Sequence, residues 1–375
     1  MNKKLWLLVL AVVVLAGLAI IVPCLARGGE MAPISGYKVL APIRHGNLTI
    51  FPVVAAMSHD TQQFLTLDEG LRSGEVIVTE SGNAQPLVRP RHQHSGPIMD
   101  GRPSGGAQVN QLVLINNSQR PLILLAGEIV AGGHQDRVIG KDRIVPAESD
   151  PIDLSVFCVE PGRWTGPTST FGGGVGSGGA IGAGMAQPAV RSKAMVDKDQ
   201  AKVWAEVGKA KESVSYGLSA PAASAVAETS SYARVMQNGE VKQKVDALAA
   251  PMQQDYQSLI QQLRDRKAVG VVVAVNGEII WADIFASTDL LEKYWPKLVR
   301  SYAAEAVSSS GNNHDASEKT AQQFLEDTEG RHEIAEIEPG LYRHTEVTGD
   351  GFKAFELTSL LPKTGFDLHV AKMAD

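Results

Sequence analysis

AVGVVVAV (Ala268–Val275), Asn276-Gly277 and EIIWADIF (Glu278–Phe285) form the stretch that decides the fold. Two apolar runs flank an Asn-Gly pair. This predicts a tight β-hairpin, because a two-residue turn of this kind needs positive φ at both central positions and Asn and Gly tolerate it. Helical periodicity lies on either side. Upstream, Val241, Val245, Leu248, Met252, Tyr256, Leu259, Ile260 and Leu263 recur at helical spacing over residues 240–265, with Pro251 expected to kink or split the element. Downstream, Asp289-x-x-Glu292 predicts a helix start, running towards Val307 and bent or restarted at Pro296. A further helix is expected over Ala194 to Lys211, around Val203, Trp204 and Val207. Ala220 to Ala227 reads as a small-residue linker.

The N-terminal half has strand character. NLTIFPVV (Asn47–Val54) alternates, and Pro52 marks it as an edge or bulged strand. Thr66-x-x-Glu69 with Gly74 brackets a short helix, Leu67 to Ser73. Glu75 to Glu80 is a strand. Gln111 to Ile115 and Pro121 to Leu125, separated by Asn116-Asn117, predict a buried hairpin. Arg143 to Val145 and Asp153 to Val159 continue the β pattern. Gly166 to Gly184 is a glycine-rich surface loop, since no strand leads into it and no Lys-Ser or Lys-Thr follows. After a polar break at Ser308 to Asp315, strands are expected at His332 to Glu338, Leu341 to Val347, Phe352 to Leu361 and Phe366 to Ala371. They either rejoin the first sheet or form their own meander.

The predicted class is α+β: an antiparallel, β-rich N-terminal part integrated with a helix–β-hairpin–helix part and C-terminal strands. The parts are a leader or anchor (1–26), a linker (27–46), the β-rich part (47–164), the glycine-rich loop (165–193), the helix–hairpin–helix part (194–310) and the C-terminal strands (311–375).

Net charge is −6 and no basic stripe occurs, which excludes a nucleic-acid partner. Two cysteines, Cys24 and Cys158, leave no intramolecular disulfide once a leader is removed. Lys3-Lys4 precedes the charge-free run Leu5 to Ala26, long enough to cross ~30 Å of hydrocarbon. Three fates fit it: a transmembrane signal anchor, a signal peptide cut after Ala26, or a lipoprotein signal at Cys24. The positive-inside rule places the body outside the cytoplasm, either membrane-anchored or secreted to the periplasm or beyond. The membrane is then a partner through the N-terminal segment if that segment is uncleaved.

Chemistry concentrates in LLAGEIVAGGHQDRVIGKDRIVPAESDPIDLSVFCVEPGRW (Leu124–Trp164). Glu128 follows one apolar strand and Glu160 another. Strand ends are where loops present functional groups. If the two ends meet, Glu128, Gln135, Arg137, Glu160, Arg163 and Trp164 form one site. The carboxylates Glu128 and Glu160 are candidates for an acid/base pair with their pKa values split by Arg137 and Arg163. Alternatively the arginines clamp an anion while Trp164 stacks on a ring. The structural reading is that each acid pairs with an arginine to fix a loop.

Gly127-Glu128, Gln135-Asp136-Arg137, Val145-Pro146-Ala147, Cys158-Val159-Glu160 and Gly162-Arg163-Trp164 resemble the ARG and Rhodanese-Phosphatase-superfamily-associated protein domain family, where ARG stands for ADP-ribosylglycohydrolase. Leu67 to Glu80 is similar to the family's opening. Gly277 to Val307, with Trp295-Pro296-Lys297-Leu298 and Ser301-Tyr302-Ala303, is similar to its later portion. The resemblance covers about residues 45–307. It implies association with ADP-ribose-processing and phosphatase-like domains rather than a stated reaction. The family motif usually has Asn where Asp136 stands, and an added acid weakens anion binding.

His92-x-His94 sits in a Pro/Gly-rich loop without a ligand set, and Cys158 reads as a buried small hydrophobe. No metal and no cofactor is expected. The leading expectation is a non-enzymatic domain that binds a small molecule or a protein partner. The alternatives are a hydrolase using Glu128 and Glu160, and a structural envelope protein.

Overall fold

Pro52 shows how the first strands are arranged. The computed structural model describes residues 36–80, 111–133, 135–161, 170–171, 184–263, 266–309, 311 and 314–375. In it β1 (Lys38–Val39) and β2 (Ile43–His45) both pair antiparallel with β3 (Leu48–Ala55). Of the expected edge or bulged strand, the edge position is corrected: β3 lies inside its sheet, and its pairing with β14 (Lys267–Val275) shifts register between Ala268 and Gly270. β2 covers β3 up to Ile50 and β1 resumes at Val53, so the proline's missing donor faces the gap between two short partners. Its carbonyl accepts the Leu40 N–H at 2.8 Å.

β4 (Leu65–Thr66) leads into α1 (Leu67–Ser73), which carries the expected capping box. Thr66 Oγ1 accepts the Glu69 N–H at 3.3 Å and Glu69 Oε2 accepts the Thr66 N–H at 2.9 Å. Gly74 ends the helix at φ 72°. Next come β5 (Val76–Glu80), β6 (Gln111–Asn116) and β7 (Leu122–Leu124). The expected β6–β7 hairpin does not form. β6 pairs with β5 and with β11 (Ile152–Cys158), whereas β7 pairs with β10 (Arg143–Val145) and, in parallel, with β4. The cause is Asn116, whose amide donates to the Arg120 and Pro146 carbonyls at 2.8 and 2.9 Å and turns the chain from one sheet into the next.

β8 (Glu128–Val130) and β9 (Arg137–Ile139) complete the block's sheet, with β12 (Thr170–Phe171) and β13 (Gly184–Met185) at its edges. These last two interrupt the stretch expected to be loop, most of which lies outside the described residues.

The single helix expected over Ala194 to Lys211 is corrected: after α2 (Pro188–Ser192), the range divides into a π-helical turn (Lys193–Asp197) and α3 (Gln200–Ser215). Lys198 adopts φ 51° and Asp199 caps α3 by accepting the Lys202 N–H at 2.9 Å. The expected linker is α4 (Ala220–Glu228), as its alanines favour. α5 (Tyr232–Gln237) follows, and α6 (Gly239–Gln262) is one helix with Pro251 inside it. The buried stripe Val241, Val245, Ala249, Met252 and Tyr256 runs along both halves and holds the axis together.

β14 (Lys267–Val275) and β15 (Glu278–Phe285) are the expected hairpin, with Asn276 at φ 53° and Gly277 at φ 84°. α7 (Thr288–Ser308) starts earlier than the Asp289-x-x-Glu292 pattern suggests, because Ser287 Oγ accepts the Leu290 N–H at 2.9 Å. Pro296 lies inside α7 without splitting it. α8 (Glu318–Glu326) precedes the tail strands and was not expected there. β16 (Gly330–Glu338), β17 (Tyr342–Gly349), β18 (Phe352–Ser359) and β19 (Asp367–Ala374) form a meander that joins the main sheet through β19 and β15. That sheet has the order β1-β3-β14-β15-β19-β18-β17-β16. The class is α+β, and among the described residues the pairing is antiparallel except at β4 and β7.

β14 is apolar at nearly every position because both faces of its sheet are covered. Val271, Val273 and Val275 pack with α6 and α7 residues such as Tyr256, Trp295 and Leu298. Val272 and Ala274 pack with Ala321 and Leu325 of α8. Full burial of each valine contributes roughly 1.5–3 kcal/mol.

The transmembrane expectation is corrected. Among the described residues no helix is long and apolar enough to cross a membrane. The leader on which that expectation rested, Leu5 to Ala26, lies outside them.

Candidate functional site

The LLAGE turn between β7 and β8 is held from every side. Gly127 adopts φ +95°, and a Cβ there would stand 2.4 Å from Arg191 Cγ. Its N–H donates to the Ile139 carbonyl and its own carbonyl accepts the Ala186 N–H, both at 2.8 Å. The next residue, Glu128, is 0% exposed. Its Oε2 accepts the Leu125 N–H at 2.7 Å and its Oε1 is bonded to Lys297 Nζ. Lys297 also donates to Asp68 Oδ2 at 2.7 Å and lies 4.6 Å above the Tyr294 ring. Burial raises the Glu128 pKa, opposed by the Lys297 charge. Burial alone would lower Lys297, but Glu128 and Asp68 together hold it above its ordinary value. Sequence reasoning missed Lys297. The signal was its place on α7, between Tyr294 and Ser301 on the helix's buried face.

Gln135, Arg137 and Glu160 meet in a second cluster. Glu160 is 2% exposed. Its Oε2 accepts the Asp136 N–H at 3.1 Å, and its main-chain carbonyl accepts Gln135 Nε2 at 3.0 Å. Asp136 takes two donors, the Gly132 N–H at 3.0 Å and Ser231 Oγ at 2.6 Å. A carboxylate suits this position because each oxygen accepts one of them. Arg137 stands opposite Cys158 in the β9–β11 register and is buried. Burial lowers its pKa, and Cys158, Glu80, Asp136 and Glu160 oppose this in that order. Burial pushes the Cys158 thiol up, the Glu160 N–H donates to its sulfur at 3.3 Å, and Gln200 clamps its peptide through two 2.8 Å bonds. Cys158 is thus a buried, protonated thiol held in place. Arg163 and Trp164 lie outside the described residues, as do His134, His92 and His94. Glu128 therefore belongs to one charge cluster and Glu160 to another.

A third cluster is built from residues that the sequence reading did not single out. Arg191 makes a bidentate pair with Asp283 at 2.9 and 3.0 Å. His369 bridges Asp283, at 3.0 Å from Nε2, and Asp142, at 2.5 Å from Nδ1. Tyr302 also donates to Asp283. Asp142 accepts the Ala126 N–H at 2.7 Å and Arg191 Nε donates to the Ala126 carbonyl at 3.3 Å, so this network grips the same LLAGE turn. Burial alone would raise Asp283, yet Arg191 and His369 hold it well below the usual carboxylate range. Burial alone would lower His369, yet Asp142 and Asp283 push it up to about 9.

That value fixes a pH dependence. The folded pKa of His369 lies above its ordinary 6.5, so its contribution is complete below 6.5 and is lost as pH rises through 9. At about 1.4 kcal/mol per pH unit the contribution is about 3 kcal/mol. Urea unfolding over a pH series should show the gap between wild type and His369→Gln narrowing by that amount across this window. A gap that does not change with pH would refute the charged imidazole.

Among the described residues no group of three or more His, Cys, Asp or Glu is placed to hold a metal ion. A hollow of about 300 Å³ lies beside the block instead, where Gly140, Lys141 and Phe157 face His344, Glu336 and Phe355 of the C-terminal strands. A family described as the ARG and Rhodanese-Phosphatase-superfamily-associated Protein domain matches residues 36–371. This chain belongs to that family. No curated protein and no solved structure matches the chain. The family match extends from β1 into β19, so the block resembling the family motif and the C-terminal strands facing it fall within one family domain.

Proposed function

We propose that this family member is a non-enzymatic, small-molecule-binding protein. Its ligand occupies the hollow between the motif block and the C-terminal strands, and the buried carboxylate–cation clusters serve as the frame. One observation carries the reading: His344 is 2% exposed, lines this hollow, and its Nε2 has no hydrogen-bond partner among the described residues. A buried polar atom without a partner is costly unless something fills its need.

The rest of the lining suggests the ligand's chemistry. Phe157, Phe355, Met195 and Ala194 supply apolar wall. Lys141 is committed to Glu336, and Lys198 to Glu346 at 2.6 Å. Burial lowers the His344 pKa, so the imidazole is neutral at physiological pH. A β-bulge between Ile334 and Glu336 turns Ala335 into the same hollow. A flat, mainly apolar molecule with one hydrogen-bonding group fits this lining, and the volume is at the small end for ligand sites.

The hydrolase alternative has weaker support. A general acid must come within hydrogen-bond reach of its substrate, and Glu128 has no exposed surface and is bonded to Lys297. Thermal unfolding with phenol and indole, against toluene as the analogue without a polar hydrogen, tests the proposal. Phenol and indole should raise the wild-type midpoint more than toluene does. His344→Phe, which keeps an aromatic ring in place, should erase that difference. No protection by phenol or indole, or protection equal in wild type and variant, would overturn it.

A further inference from the structure

A second hollow, sharing no lining residue with the first, lies where the last turns of α6 meet the first turns of α7. We infer that it binds a small monocarboxylic acid. Its volume is about 480 Å³. Tyr256 and Trp295 line it with rings stacked at 4.1 Å, and both residues are at least nine-tenths buried. Neither Tyr256 Oη nor Trp295 Nε1 has a hydrogen-bond partner among the described residues. An indole N–H only donates, and a phenol donates readily. The missing group is therefore an acceptor.

The rim supplies the charge. Arg266, Lys267 and Glu292 line the opening, all three are exposed, and none makes an ion pair among the described residues. Two cations against one anion favour a ligand with a single negative charge. A dianion would meet Glu292 without a further cation to offset it. A carboxylate is the acceptor that satisfies both needs, since its oxygens take hydrogen bonds from the two aromatic donors while Arg266 and Lys267 attract its charge. Ile260, Leu263, Leu291 and Pro296 supply apolar wall for the acid's carbon body.

Isothermal titration of the full chain with benzoate and hexanoate tests the site, with benzamide as the neutral analogue and phthalate as the dianion. Saturable binding of both acids is expected, with benzamide and phthalate about tenfold weaker or more. Tyr256→Phe and Trp295→Phe should each weaken benzoate by about tenfold, in line with the loss of one hydrogen bond to a charged group. Arg266→Gln, an exposed change that leaves the core intact, should reduce the preference for benzoate over benzamide. It keeps the test decisive should Trp295→Phe lower stability. No saturable binding of benzoate or hexanoate at millimolar concentration, or equal binding of benzoate and benzamide to wild type, would overturn the assignment.

Discussion

Lys297→Met is expected to lower the free energy of unfolding by about 3–5 kcal/mol, the range found when one partner of a buried ion pair is removed. The methionine fills much of the lysine's volume, so lost packing is a small part of the effect. What remains is a carboxylate with 0% exposure that has lost its Lys297 partner, next to Asp68. Glu128 then takes up a proton rather than staying charged in an apolar surround. The loss should therefore be larger in alkaline than in mildly acidic buffer. Urea unfolding at both conditions measures it, and a loss independent of pH would argue against an ionised Glu128 in the wild type.

Gly127→Ala is the second large effect. The left-handed backbone disfavours an L side chain by roughly 1–2 kcal/mol. The added methyl would also stand 2.4 Å from Arg191 Cγ and 2.7 Å from Arg191 Nε. Arg191 has nowhere to yield, because it is fixed to Asp283, to the Ala126 carbonyl and over the Trp281 ring at 4.4 Å. The summed destabilisation should reach several kcal/mol, at the upper end of single substitutions. Thermal unfolding will show it as a fall in midpoint of many degrees, whereas Gly74→Ala, at a comparable φ but in open space, should cost only the backbone part.

Local rules made much of the fold legible. Asn276-Gly277, the Thr66/Glu69 capping box and the turns of the C-terminal meander are determined by residues adjacent in sequence, and each formed where expected. Expectations failed where a distant partner decides. Pro52 sits inside a sheet because two short strands leave a gap opposite it, and neither strand is legible from Asn47 to Val54 alone. The β6–β7 hairpin failed because Asn116 bonds a carbonyl thirty residues away in sequence. Ala220 to Ala227 reads as a linker because small residues suit both linkers and helices, and Ser219 as N-cap decides for the helix.

The candidate site shows the same division. Strand ends drew attention to the LLAGE turn and to the Glu160 corner, which the structure places in two separate clusters and not in one. They did not reveal that Lys297 pairs with Glu128, or that Arg191, Asp283 and His369 form a further network gripping the LLAGE turn. These residues come from helices and strands far along the chain, and Asp283 is the single charged residue between Ile279 and Phe285. A single charged residue on an otherwise buried face is itself a signal, since such a group is rarely buried unless paired.

The account stands on Glu128 and Lys297 being a closed pair in the frame rather than a reactive acid beside a substrate. A double-mutant cycle of Glu128→Gln and Lys297→Met, followed by urea unfolding, tests this most directly. A strong favourable coupling is expected, with the double variant clearly more stable than Lys297→Met alone, because removing the carboxylate relieves the orphaned charge. Additive effects, or a Lys297→Met protein as stable as the wild type, would contradict it.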